Sequence, residues 1–71
     1  MKDQNYEIEV RLIDPFSPTR TIEHSEEFCG DRYVAMRYNE IKESGLEILK
    51  EDITTYYPPS SILRLCIIRK D

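Results

Sequence analysis

The side chains best suited to covalent chemistry in this chain are one histidine and two cysteines, His24, Cys29 and Cys66. A cysteine nucleophile needs a neighbouring base, so the histidine is the residue to test. Nothing in the spacing brings it to either cysteine. His24 lies between Glu23 and Ser25 on a polar segment, and we expect an exposed imidazole without a catalytic role.

Neither cysteine has a second cysteine close to it in the sequence, so the spacing typical of zinc and redox sites is missing. Each lies beside apolar residues, such as Phe28 and Leu65. We expect two reduced thiols that act as small core or near-surface fillers, and neither a metal nor a cofactor.

Neighbouring carboxylates occur at positions 7 and 9, 26 and 27, and 51 and 52. For acid and base catalysis such a pair needs a pocket that raises the pKa of one member. A pocket of about 300 Å³ or more is hard to build in so short a chain. Glycine-rich phosphate loops and calcium-binding loops are also missing. We therefore expect neither enzyme activity nor a small-molecule substrate.

Length and composition set further limits. The chain has 71 residues, with 10 Lys and Arg against 14 Asp and Glu, a formal charge of -4 and 39% hydrophobic residues. We expect a single domain, residues 1–71, with a marginal core, because chains of this size bury only about 60% of their unfolded surface. No run approaches the roughly 18 apolar residues of a membrane span, and the first residues form no secretory signal. We expect a cytoplasmic protein.

The first half of the chain predicts a strand pair and a helix. Strict alternation predicts a half-buried strand over 6–13, and a second strand over 20–26 follows a proline-containing turn. The stripe of apolar residues over 32–44 predicts a helix with Asp31 as its N-cap. Gly45 ends it, in a Schellman cap that brings Leu46 against Ile41.

The second half predicts a short strand over 46–50, a β-prone segment of uncertain pairing over 52–57, and a last strand over 62–69. The last strand has apolar residues in both alternation sets, which is typical of a central strand. The expected fold class is α+β, a single-layer antiparallel or mixed sheet of about four strands (β-β-α-β-β) with one helix packed on one face.

One helix covers only one face of such a sheet, so the other face meets water or a partner. That face would carry Ile13 and one of two sets from the last strand. The two sets are Leu63, Leu65 and Ile67, or Ile62, Cys66 and Ile68. Such a mixed surface is a candidate contact site. In the alternative, the loop at Tyr56 and Tyr57 folds back over it.

The solvent side of the helix carries residue types enriched in binding surfaces. An ordinary solvated face with an Arg37–Glu40 pair is the alternative. We expect a non-catalytic protein-binding module, accessory or inhibitory, whose partner is another protein or a second copy of the chain. The candidate partner-binding residues are Tyr33, Met36, Arg37, Glu40, Arg64 and Ile68.

A small RNA or single-stranded DNA binder is the second hypothesis. It would use the basic end of the last strand together with aromatic side chains that stack on bases. The residues involved are Arg11, Tyr56, Tyr57, Arg64, Arg69 and Lys70. A net charge of -4 opposes phosphate contacts, so nucleic acid is the less favoured partner. An acidic surface that imitates nucleic acid is a minor variant of the protein-binding hypothesis.

Overall fold

The structure is a computed structural model that describes residues 4–70. Its first two strands, β1 (Asn5–Asp14) and β2 (Ser17–Cys29), pair antiparallel. The Phe16 backbone N–H donates a hydrogen bond of 2.9 Å to Asp14 Oδ1 in the turn between them. Both strands extend beyond their predicted limits, because the pairing continues to the register position where Asn5 faces Cys29.

The helix, α1 (Asp31–Ser44), has Gly30 and not Asp31 as its N-cap, and no side chain caps it. The chain turns sharply out of β2 at Gly30, whose positive φ of 94° is a conformation that glycine adopts more readily than other residues do. Its N–H donates to the Gln4 carbonyl oxygen at 2.8 Å. Asp31 therefore lies in the first turn, where its negative charge suits the positive end of the helix dipole.

Gly45 ends the helix as expected, but without the predicted Schellman geometry. Its N–H donates to the Ile41 carbonyl oxygen at 2.9 Å, and its ψ of -165° lies outside the left-handed helical region. A Cβ here would overlap the Tyr57 carbonyl oxygen, so the close approach of the two segments also requires glycine. Ile41 and Leu46 are nevertheless both buried in the core.

The segment of uncertain pairing forms a strand of its own. β3 (Leu46–Lys50) and β4 (Ile53–Tyr57) pair antiparallel as a separate two-stranded sheet, which we call the arm. Its two-residue turn, Glu51 and Asp52, has φ values of 52° and 66°. A short 3-10 turn (Pro59–Ser61) leads from the arm to the last strand.

The last strand, β5 (Ile62–Lys70), is an edge strand, which corrects the prediction of a central one. It pairs with β1, and the strand order of the larger sheet is β2-β1-β5. The apolar residues on both of its faces predicted a strand with a neighbouring strand at each edge. Among residues 4–70, however, only the edge next to β1 is paired.

The α+β class with one helix packed on the strands is confirmed, with five antiparallel strands in two sheets. The core lies between α1 and the inner face of the larger sheet, and the start of the arm closes one end. Its buried side chains are Ile8, Val10, Leu12, Val34, Ile41, Leu46 and Tyr57. No helix within residues 4–70 is long and apolar enough to span a membrane.

Candidate protein-binding surfaces

The face of the larger sheet that points away from α1, here the open face, carries mainly charged side chains. The register places these residues together: Glu7, Glu9, Arg11, Glu23, Ser25, Glu27, Arg64, Cys66, Ile68 and Lys70. Leu65 and Ile67 of β5 lie on the inner face opposite Val10 and Ile8. A register shift between Arg11 and Leu12 sets Ile62 opposite Leu12, so that it packs against the core. Of the apolar residues considered from the sequence, Ile13, Cys66 and Ile68 lie on the open face.

The charges of the open face are partly paired within the chain. Arg11 donates to Glu23 at 2.8 Å, and Lys70 Nζ lies 3.4 Å from Glu7. Arg11 and Arg64 lie directly opposite each other, an unfavourable pairing of like charges. A shallow depression of about 270 Å³ lies over this part of the face, between Glu9, Arg11, Glu23 and Arg64.

The residues that the nucleic-acid hypothesis grouped do not form one surface. Arg11 and Arg64 lie on the open face, whereas Arg69 lies opposite Tyr6 on the inner face. Tyr57 is buried in the core, and the Tyr56 hydroxyl donates to the Ser44 carbonyl oxygen at 2.8 Å. The basic end of β5 and the tyrosines of β4 are thus separated.

Two of the helix residues predicted to bind a partner, Arg37 and Glu40, belong to an ion-pair network inside the chain. Arg37 donates two hydrogen bonds of 2.9 Å to the carboxylate of Glu26 on β2 and one to Glu40. His24 Nε2 donates to the same Glu26 carboxylate at 2.9 Å. The network holds α1 to β2 at the side of the core.

Electrostatics in this network follow from its geometry. The hydrogen bond from Arg37 lowers the pKa of the Glu26 carboxyl; burial opposes this shift and the hydrogen bond from His24 adds to it. The hydrogen bond to Glu26 in turn raises the pKa of Arg37. His24 was expected to be exposed, but its side chain is only 24% exposed. Its position opposite Val10 on the inner face explains the difference.

The other two predicted helix residues, Tyr33 and Met36, are well exposed. The two candidates on β5, Arg64 and Ile68, both lie on the open face, four residues apart. The six predicted residues therefore divide between α1 and the open face, and the structure does not bring them together into one site.

Sequence reasoning missed three of the exposed apolar side chains, namely Phe16, Leu49 and Ile53. Among the described residues seven large apolar side chains are buried in the core and eight are exposed. The exposed ones are Phe16, Tyr33, Met36, Leu49, Ile53, Tyr56, Leu63 and Ile67. Phe16 at the turn after β1 is 90% exposed, and Leu49 and Ile53 on the arm are 71% and 66% exposed. Because Leu49 interrupts the alternation of Leu46 and Ile48, the sequence already offered a signal there.

The groups considered for covalent chemistry lie apart. His24 points to the inner face and Cys66 to the open face, while Cys29 is about 17 Å from His24 along β2. Within the described chain neither cysteine forms a disulfide. No three His, Cys, Asp or Glu residues within 4–70 are grouped closely enough to hold a metal ion. Comparisons with protein-family models, curated proteins and solved structures found no match to this chain.

Proposed function

We propose that this chain is a non-catalytic protein-binding module that acts by contact alone, as an accessory or inhibitory factor. The observation that carries the proposal is the exposed apolar surface: eight large apolar side chains are exposed among the described residues, against seven buried in the core and seven partly buried beside it. A small chain with a marginal core gains stability from every apolar side chain that it buries. Single exposed apolar residues are ordinary on a protein surface, whereas two of them beside one turn, such as Leu49 and Ile53, favour a role in binding.

The arm is the surface that we assign to the partner. Its base is anchored, because Leu46 and Tyr57 are buried in the core. Its tip is a two-stranded ribbon, which is marginally stable by itself, and exposes Leu49 and Ile53 next to the turn. These two side chains are not part of the core cluster. Leu49 is paired with Thr54 and Ile53 with Lys50, so the two side chains point from opposite faces of the ribbon, and a groove that encloses the tip of the arm would bury both.

The charges around the arm indicate what kind of groove would fit. The arm carries Glu47, Glu51 and Asp52 close in sequence to the exposed aliphatic side chains, against a single Lys50. An apolar groove with a basic rim is the complementary surface, because opposite charges at the rim raise the association rate and exclude wrong partners. Tyr33 and Met36 on α1 offer a second exposed surface for the same class of partner.

The test is affinity purification of the tagged chain from its native cell, followed by binding measurements with the purified partner. We expect the Leu49→Lys/Ile53→Lys variant to weaken binding at least about tenfold, since central apolar anchors carry most of the energy of an interface. Tyr33→Ala and Met36→Ala test the helix surface in the same assay.

The control is the circular dichroism spectrum and unfolding midpoint of each variant, which should match those of the parent, because the substituted side chains are exposed. Unchanged affinity in the arm variant would show that the arm is not the binding surface. The proposal fails if no protein co-purifies above the level of a resin control.

A further inference from the structure

β5 is an edge strand with the composition of a central one. Its nine residues include apolar side chains on both faces, with Leu65 and Ile67 on the inner face and Cys66 and Ile68 on the open face. At this edge Leu63 is 53% exposed and Ile67 is 40% exposed. Long apolar edges are unfavourable in a soluble monomer, because their unpaired backbone groups pair readily with another strand.

The opposite edge of the same sheet is protected. β2 carries Pro18, which cannot donate to a ladder, and only three of its thirteen residues are apolar, whereas β5 has no proline and six apolar residues of nine. Proline is one of the usual devices that keep an edge strand from pairing, and a polar edge offers little apolar area to a second strand. The difference between the two edges indicates that β5 is the one built to pair.

We propose that β5 pairs antiparallel with β5 of a second copy of this chain, around a two-fold axis at Cys66, to give a continuous six-stranded sheet. This inference rests on the proposed function, because the binding partner is again a protein. It concerns a different surface, the β5 edge, and a different partner, a second copy of the chain. The two copies would carry their helices on the same side, and both arms would remain available.

The register follows from the strand itself. Cys66 is the middle residue of Ile62–Lys70, so an axis there pairs the full length of the strand. On the inner face Leu65 of each copy then lies opposite Ile67 of the other copy, which gives two such pairs. Both are aliphatic pairs of the kind that stabilise sheets. On the open face Cys66 faces its own counterpart, and Arg64 faces Ile68.

Charge complementarity supports the same register. At one end of the open face Arg11 and Arg64 outnumber Glu23, whereas toward the other end Glu7 and Glu27 outnumber Lys70. With the axis at Cys66, Arg64 of one copy lies opposite Ile68 of the second, whose neighbour on β1 is Glu7. The basic end of each open face therefore continues into the acidic end of the other. An axis one residue further, at Ile67, would set Arg64 against Lys70.

The area is sufficient for a weak dimer. Nine paired residues span about 30 Å, and the molecule is 20 Å thick in its shortest dimension. Contact through this full thickness would bury at most about 600 Å² per copy, or about 1,200 Å² in total, which is the lower end of the range for specific interfaces. We expect a dissociation constant in the micromolar range, because affinity at a given area spans micromolar to picomolar and this area is small.

The first experiment measures the mass in solution by sedimentation equilibrium at about 10 to 500 μM, a range that brackets a micromolar dissociation constant. We expect the mass to rise with concentration toward twice the chain's 8.5 kDa. Ile67→Lys should keep the mass at that of one chain, because it places an unpaired charge in the middle of the paired strands. The control, Leu49→Lys, alters an exposed leucine on the arm and should leave dimerisation unchanged.

If Ile67→Lys does not fold, Leu63→Lys replaces it, since that side chain is more exposed and adds a charge to the same edge. A mass of one chain at all concentrations would overturn the inference, as would a dimer that persists in folded edge variants. Loss of the dimer in Leu49→Lys would show that the arm and not the edge pairs the copies. The mass does not depend on a foreign partner, so this result is separate from the test of the proposed function.

The second experiment tests the register. Directly opposed residues in an antiparallel pair have Cα atoms about 4.5 to 5.5 Å apart, within the range that a disulfide bridges. In a Cys29→Ser background, diamide should link the two copies through Cys66, with the two electrons and two protons of the thiols passing to the diamide. A Cys66→Ser variant should show no link. A dimer that resists linkage through Cys66 would refute the axis at this residue.

Discussion

Replacing Arg37 with Met removes the guanidinium that joins α1 to β2 and keeps most of the aliphatic stem. The change deletes two hydrogen bonds of 2.9 Å to Glu26 and the contact with Glu40. The Glu26 carboxylate keeps its hydrogen bond from His24. A half-buried carboxylate is thereby left with one partner in place of two, and the folded state should lose stability.

The burial of the pair sets the magnitude. The Arg37 and Glu26 side chains are 27% and 24% exposed, which places the pair between two measured classes. Exposed ion pairs contribute about 0–1 kcal/mol, and breaking a buried pair costs about 3–5 kcal/mol. We expect a loss of about 2 kcal/mol, which in a domain of this size lowers the midpoint of thermal unfolding by about 8–16 °C.

The loss should depend on pH in a definite direction. The pKa of Glu26 is lower in the folded chain than its ordinary value of 4.5. The pair therefore stabilises the fold fully above that value, and the contribution is lost as the pH falls through the folded-state pKa. The difference between parent and Arg37→Met should be largest near neutral pH and should shrink at strongly acidic pH.

Urea unfolding followed by circular dichroism, at about pH 7 and about pH 3, measures both effects. Arg11→Met is the matched control, because its partner Glu23 lies at 2.8 Å but the two side chains are 48% and 72% exposed. It should change the free energy of unfolding by no more than about 1 kcal/mol. Equal losses in the two variants, or a loss in Arg37→Met that does not change with pH, would refute the assignment of the network to stability.

Two further predictions concern backbone positions with positive φ. Gly45→Ala should lower the free energy of unfolding by about 2 kcal/mol more than Gly30→Ala. Both positions strain an L-residue, but only a Cβ at Gly45 would overlap another segment, at Tyr57. Equal losses measured by urea unfolding would contradict this. Replacing Glu51 and Asp52 by Asn and Gly should raise the free energy of unfolding by about 1 kcal/mol. Both positions have positive φ, and Asn-Gly is the sequence that such a turn favours. A thermal midpoint that stays the same or falls would count against strain in this turn.

Local patterns were sufficient to predict much of the fold. The alternation over 6–13 identified β1 and its buried side, because one face of that strand is packed and the other is not. The apolar stripe and Gly45 identified the helix and its end. His24 shows where the pattern was misread: Ile22, Glu26 and Phe28 lie at the same alternation as His24, which placed it on the inner face despite its polar neighbours.

The position of β5 could not be predicted, because a strand's neighbours depend on contacts between residues distant in the sequence. Its apolar composition is typical of a central strand with a neighbouring strand at each edge. Within residues 4–70, however, only β1 pairs with it. The arm was missed for a related reason, since nothing local says whether a β-prone segment joins the main sheet or pairs only with its neighbour. The predicted partner-binding residues divide between two surfaces, and helix periodicity could not show that Arg37 is engaged by Glu26 of β2.

The central place of β1 also determines the order in which the fold can form. Its neighbour on one side, β2, follows after a two-residue turn, and such hairpins close in about 1–10 μs. Its neighbour on the other side is β5, at residues 62–70, and the entropy of closing that long loop must be overcome before this pairing gains anything. Until then the second edge of β1, with Ile8, Val10 and Leu12 beside it, stays open to water and to other unfinished chains. We therefore expect early misassembly to be most frequent in the interval before the last strand docks.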